Sequence, residues 1–232
     1  MLLEKLRQDV LEANLELVRR GLVIYTFGKA SGISRPEGFV VIKPSGVAFD
    51  QLRPEHMVIT DLEGRIVEGD LRPSSDLDTH VLLYRAFSSI GGVVHSHSRH
   101  ATAWAQARRG IPCFGTTHAD YFYGEVPVTA PLTDDEIRGD YERNTGHAIV
   151  RRFEGLDPSA MPGVLVAGHG PFCWGPSVAA AAMNAVLLEE VAALAWMTLS
   201  LNPGAPQIEP ALLDKHYLRK HGPAATYGQK RD

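Results

Sequence analysis

Four side chains carry the chemistry most easily read from this chain: Asp76, His95, His97 and His169. His95 and His97 stand in Gly91-Gly92-Val93-Val94-His95-Ser96-His97, an apolar run behind two glycines that predicts a buried strand. Side chains two apart on a strand share a face, so the two imidazoles point the same way and form a ready ligand pair. Two such histidines can also simply line a half-polar strand, and the rest of the chain tips the balance. His169 ends a second apolar run, Val164-Leu165-Val166-Ala167-Gly168-His169-Gly170, and Asp76 follows Pro73-Ser74-Ser75 at the start of a helical pattern. Three neutral imidazoles and a carboxylate, with no thiolate, suit zinc, manganese, iron or cobalt.

A second set of residues suits an anion. Lys43-Pro44-Ser45-Gly46 places a cation, a hydroxyl and a flexible amide in one tight turn after the short strand Phe39-Val40-Val41-Ile42. Ser74 and Ser75 have the ordinary use of helix capping, and Asp76 that of a first-turn acid. The free N–H groups of the same helix start would equally hold a phosphate. Thr26 to Ser34, including Lys29, reads as a loop of small residues that a ligand could approach closely. Gly115 to Gly124 brings Thr116, Asp120 and aromatic residues together, as a site or as a loop packing its rings on a neighbour. A metal, a phosphate anchor and proton carriers are sufficient for aldol chemistry: charge on an enediolate is stabilised, the far end is held, and hydroxyl protons are exchanged.

These groups need a scaffold, and the pattern supplies one α/β domain spanning residues 1–232. The 232 residues are 44% apolar and 22% charged, enough for a full core. A net charge of −4 without a basic block speaks for a small-molecule partner, not nucleic acid or a membrane surface. Two isolated cysteines, Cys113 and Cys173, fit a reducing compartment. The charged start, Met1-Leu2-Leu3-Glu4-Lys5-Leu6, does not read as a signal peptide, and Glu189 and Glu190 interrupt the longest apolar region; a cytoplasmic protein is expected. Leu3, Leu6, Val10, Leu11, Leu15 and Val18 predict an opening amphipathic helix closed by Gly21. Met57–Thr60 and Arg65–Glu68 predict a hairpin around Glu63-Gly64, and Thr133 to Glu136 a capping box. His100 reads as a structural residue on a helix that runs to Ala107. Ser177 to Leu201 predicts a core or interface helix, and Leu212 to Gly222 a short basic helix before a polar tail.

The motifs Leu11-Glu12-Ala13-Asn14, Ile42 to Val47, Pro73 to Asp76, Gly91 to Thr102, Gly115 to Gly124 and Leu213 to Gly222 occur in order over nearly the whole chain. In this they closely resemble the class II aldolase/epimerase family, and its pentulose-phosphate 4-epimerases in particular. The resemblance implies a three-layer α/β/α fold with a mostly antiparallel central sheet flanked by helices. It implies a homotetramer with active sites between subunits, the segment 210–232 completing a neighbour's site. One divalent metal per subunit, zinc with manganese or cobalt as substitutes, would be held by Asp76, His95, His97 and His169. Phosphate would sit at Ser45, Gly46, Ser74 and Ser75, with Lys43 nearby, and Lys29 and Thr116 would also bind substrate. Asp120 and Tyr227, the latter from the adjacent subunit, would be the acid–base pair, with His216 close by. The implied activity is interconversion of L-ribulose 5-phosphate and D-xylulose 5-phosphate by cleavage and re-formation of the C3–C4 bond, in pentose catabolism such as that of arabinose. Asp76 stands where the aldolases carry Glu, which favours epimerisation. Lys29 departs from the family's Gly-Asn and is expected to contact phosphate or to alter which sugar is accepted. The rival expectations are an aldolase that releases its fragments, an adducin-like interaction module without catalysis, and a zinc hydrolase, for which no zinc-protease helix motif is present.

Overall fold

The layers of this protein can be read from two neighbouring residues on one strand. In the computed structural model, which describes residues 1–222 and 225–226, Ser31 and Gly32 lie on β1 (Lys29–Ser34) and face opposite sides of the sheet. Ser31 Oγ meets His80 and Tyr84 of α2 (Leu77–Ala86). A Cβ on Gly32 would come within 2.5 Å of Val178 and 2.7 Å of Leu6, which belong to the layer formed by α1 (Glu4–Arg19) and α7 (Val178–Leu201). The central sheet is therefore covered by α1 and α7 on one face and by α2, backed by α6 (Tyr141–Arg152), on the other.

Seven strands make the sheet in the order β4-β3-β2-β1-β5-β7-β6, and every pair is antiparallel. The others are β2 (Phe39–Ile42), β3 (Val58–Asp61), β4 (Ile66–Glu68), β5 (Gly92–His95), β6 (Gly163–Leu165) and β7 (Pro171–Gly175). The expected hairpin is β3 and β4, turning at Gly64 with φ 80°. The two glycines ahead of His95 are there because the chain before α7 presses on β5. A Cβ at Gly92 would lie 2.5 Å from Val178 Cα.

One expectation fails. Lys29 to Ser34 is a central, largely buried strand, not a loop, although Lys-Ala-Ser-Gly has little strand propensity. Small side chains are what the two helix layers require at this place, and Asn14 of α1 pins the strand. Its Oδ1 accepts the Ala30 N–H at 2.9 Å and its Nδ2 donates to the Ala30 carbonyl at 3.2 Å.

The remaining helices hold loops in place. The chain after β5 enters α3 (Arg99–Gln106), whose first N–H groups are capped by Glu189 of α7: Oε1 accepts from His100 N at 2.9 Å and Oε2 from Ala101 N at 3.0 Å. The acid that interrupts the apolar run is thus used inside the fold. α7 is long and apolar enough to cross a membrane, but half of its apolar window is buried in the domain. The capping box at Thr133 opens α5 (Asp134–Arg138) as expected. Gly115 to Gly124 contains a short helix, α4 (Thr116–Ala119), and α8 (Pro210–His221) packs against it. Cys113 and Cys173 are buried free thiols.

Candidate metal and anion centre

Strand register assembles the centre. Lys29 of β1 lies opposite His95 of β5, and His95 lies opposite Phe172 of β7, so three neighbouring strands present one row of side chains. The His95 ring stacks on Phe172 with centroids 4.1 Å apart. Its Nδ1–H donates to the Pro171 carbonyl at 2.9 Å, which leaves Nε2 as the free lone pair. β5 ends at His95, so His97 is not on the same strand as expected. It lies in the extended chain just beyond and still turns inward: its Nε2 is 3.1 Å from His95 Nε2. His169 comes from the β6–β7 turn, where Gly168 adopts φ 73°, and its Nδ1 is 3.2 Å from the Tyr141 hydroxyl.

One nitrogen from each of His95, His97 and His169 lies within 4.8 Å of the others. Two ligands on a tetrahedral ion with bonds of about 2.0–2.1 Å stand roughly 3.3 Å apart, close to the His95–His97 separation. Burial is the main cause that keeps all three imidazoles neutral, the state a metal needs. His95 is held well below its ordinary value, His97 is lowered, and His169 is pushed down to about 4. Asp76 stands beside them, its Oδ2 4.0 Å from His95 Nε2, and the Lys29 ammonium donates to the same oxygen. Burial disfavours the Asp76 carboxylate, but the Lys29 ammonium bonded to it outweighs burial and holds its carboxyl well below the usual range. The donor set and its protonation fit a divalent metal. Asp76 immediately precedes α2 and makes no capping hydrogen bond there, so its side chain serves the centre and not the helix.

Three supporting residues escaped the sequence reading. On α2, His80 and Tyr84 meet Ser31 Oγ at 2.7 and 2.8 Å behind the centre, and burial pushes His80 down to about 3. The i, i+4 spacing of Asp76, His80 and Tyr84 is the signal that could have found them. Tyr141 carries no such signal, because it reaches His169 only through the packing of α6.

The residues expected to hold an anion gather beside Asp76. Ser45 N–H donates to the Arg72 carbonyl at 2.9 Å and Ser74 N–H to the Lys43 carbonyl at 3.1 Å, tying the two turns together. Gly46 has φ 70°, and Ser45 and Ser75 are exposed while Ser74 is buried. Lys43 is buried, with its ammonium on the carbonyls of Val47 at 3.0 Å and Pro44 at 3.3 Å and over the Phe49 ring. Burial, then repulsion from Lys29, lowers it to about 8.

Asp120 belongs to a different cluster. His216 Nδ1 lies 3.0 Å from its carboxylate, Arg219 donates at 3.0 and 3.1 Å, and Lys220 Nζ is 3.3 Å away. Burial opposes ionisation of Asp120, but hydrogen bonds from His216 and Arg219 and the charge of Lys220 prevail and lower it. Thr116 lines a small groove with Leu194 and Thr198 of α7. Among the described residues no hydrogen bond, ion pair or ring contact joins Asp120 to the histidine centre; Tyr227 lies outside the described residues. His100 is bound to Glu189 at 2.8 Å, the structural role expected of it.

Comparison with known proteins now decides the family. The family model described as Class II Aldolase and Adducin N-terminal domain matches residues 8–196. The chain belongs to that family. Among its class II aldolase relatives, "L-ribulose-5-phosphate 4-epimerase UlaF" of Salmonella paratyphi A (strain ATCC 9150 / SARB42) is 51% identical over 228 residues, covering 98% of this chain and all of the relative. The protein of the same name from Salmonella typhi gives the same figures. Of solved class II aldolase-like structures, an L-fuculose 1-phosphate aldolase superposes with a TM-score of 0.77 at 22% identity, over 91% of this chain and 94% of that one, a likeness of fold. The L-fuculose-1-phosphate aldolase of Thermus thermophilus gives 0.69 at 25% identity, over 89% and 100%. The resemblance drawn from the motifs and the antiparallel α/β fold expected from it both hold.

Proposed function

We propose that this class II aldolase-family protein is an isomerase that interconverts L-ribulose 5-phosphate and D-xylulose 5-phosphate. The observation that carries the reading is the 51% identity, over 98% of the chain, with a protein named as that 4-epimerase. The clustered histidines beside Asp76 agree with it and disfavour an adducin-like module, which needs no such centre. His95, His97, His169 and Asp76 would hold a divalent metal, zinc first given the nitrogen-rich set, with manganese or cobalt able to replace it. Its contribution when bound is charge stabilisation at a carbonyl and the adjacent hydroxyl, of the order of several kcal/mol.

This chain's own residues do the rest. Ser45, Gly46, Ser74 and Ser75, stiffened by Lys43, hold the substrate phosphate. The C4 hydroxyl gives up its proton as the C3–C4 bond breaks, leaving the enediolate of dihydroxyacetone and glycolaldehyde phosphate. The aldehyde rotates, the bond re-forms on its other face, and the proton returns to the new hydroxyl. Asp120 and Tyr227 are the proton carriers, and Thr116 and His216 bind the substrate. The separation of the Asp120 cluster from the histidines supports an active site shared between neighbouring subunits of a homotetramer, with 210–232 as the shared segment.

A coupled assay for the interconversion, run before and after chelation and with metal restored, tests this. Metal-dependent interconversion without free fragments is expected. Release of dihydroxyacetone at the rate of turnover would make the protein an aldolase, and inactivity of metal-loaded protein on both pentulose phosphates would sink the assignment.

A further inference from the structure

Lys29 sits where a cation is least expected. Its backbone register against His95 sends its side chain into the row that carries the candidate metal ligands, whatever rotamer it takes. There its ammonium bonds Oδ2 of Asp76, the very oxygen that faces His95 Nε2. The pair is largely shielded from water, with side-chain exposures of 15% and 10%, so neither charge can readily be left without a partner. A divalent metal at the histidines would compete with the ammonium of Lys29 for that carboxylate, and the two cations repel one another. When the metal takes the oxygen, the ammonium must find another anion. A place for one adjoins: Ser74 and Ser75 stand immediately before Asp76 in the chain. The register of β1 on β2, continued beyond Ser31 opposite Ile42, also points Lys29 toward the Lys43–Pro44 turn on the other side of the same place.

Resting on the metal reading above, we propose that Lys29 is an exchangeable counter-ion: it holds Asp76 while the histidines carry no metal, and it holds an anion at the serine turns once a metal takes Asp76. Metal and phosphate binding are then linked through one side chain, and the linkage is reciprocal. A phosphate that draws Lys29 off Asp76 tightens metal binding, and a metal that expels Lys29 tightens phosphate binding.

The test is Mn2+ binding followed by electron paramagnetic resonance, with and without methyl phosphate, in the full chain and in Lys29→Met and Lys29→Gln. In the parent protein methyl phosphate is expected to tighten Mn2+ by about 10-fold, within the usual range of coupling. Both variants are expected to bind Mn2+ about 10-fold more tightly without phosphate and to lose the phosphate effect. Having two neutral variants keeps the test alive if one of them folds poorly. Equal affinity in parent and variants overturns the proposal, and so does weaker binding in the variants, which would make Lys29 a support of Asp76. Binding of neither Mn2+ nor Zn2+ by any of the proteins would overturn the metal reading itself, and this proposal with it.

Discussion

The histidine centre and the Asp120 cluster, on which the proposed chemistry rests, are held by opposite means. At the histidine centre the candidate ligands stand at a strand end and in the chain or turn next to it, and packing fixes them. His95 stacks on Phe172 and donates to Pro171, and α2 lies buried behind it. At Asp120 the partners are long charged side chains of α8, a helix with no buried residue. The first cluster is pre-organised by apolar packing and backbone hydrogen bonds, while the second is assembled by charge and depends on where α8 rests. One chain therefore brings the proposed metal-binding residues together by itself. The proposed proton-transfer half, Asp120 at the end of α4, is held by a more loosely packed helix near the end of the chain, well placed for joining to a neighbour.

Substitutions can break this contrast, the largest effect first. His95→Ala removes a proposed ligand and should weaken metal binding beyond the roughly 10–100-fold typical of losing an outer-sphere partner, as read from metal content after gel filtration. Retained metal would dismantle the centre as described. Asp120→Asn should lower kcat for interconversion by about 10²–10⁴ while metal content stays that of the parent. A parallel fall in metal would show that the two clusters are not independent.

Acid should separate the clusters in chelator-treated protein. His80 and His169 have folded pKa values near 3 and 4, below the unfolded value near 6.5, so between these limits the unfolded chain binds more protons. Stability therefore rises with pH in that window and falls as pH drops from about 6.5 toward 4, by on the order of 1 kcal/mol per pH unit for each such histidine. Asp76 and Asp120, whose carboxyls are lowered, add stability that is fully present only above their unfolded pKa and disappears at lower pH. Urea unfolding across pH 7 to 4 should show this slope, and His80→Gln should flatten it; a flat profile in the parent would refute the buried neutral histidines. The smallest effect is expected from Glu189→Gln, which weakens the cap on α3: a loss of about 1 kcal/mol in urea unfolding, with metal affinity unchanged.

Local chemistry was legible where one short segment contains its own cause. The capping box at Thr133, the hairpin turn at Gly64 and the helix closed by Gly21 follow from side chains acting within a few residues. The buried strand ending at His95 follows from its apolar run. β1 was not legible, because its small residues are favoured only by the two helix layers that close on it. His80 and Tyr141 were hidden for the same reason, their roles being set by what packs next to them.

The order of residues sets which kinds of atoms are available: imidazoles without thiolates, serines in tight turns, a carboxylate at a helix start. Their order along the chain was enough to indicate the family. Only the tertiary structure decided which of them meet. Register across β1, β5 and β7 sets Lys29, His95 and Phe172 in one row, and α8 carries His216 and Arg219 to an aspartate far behind them in the chain. Pairing register and helix docking are settled by burial summed over the whole domain, and no local pattern encodes that sum.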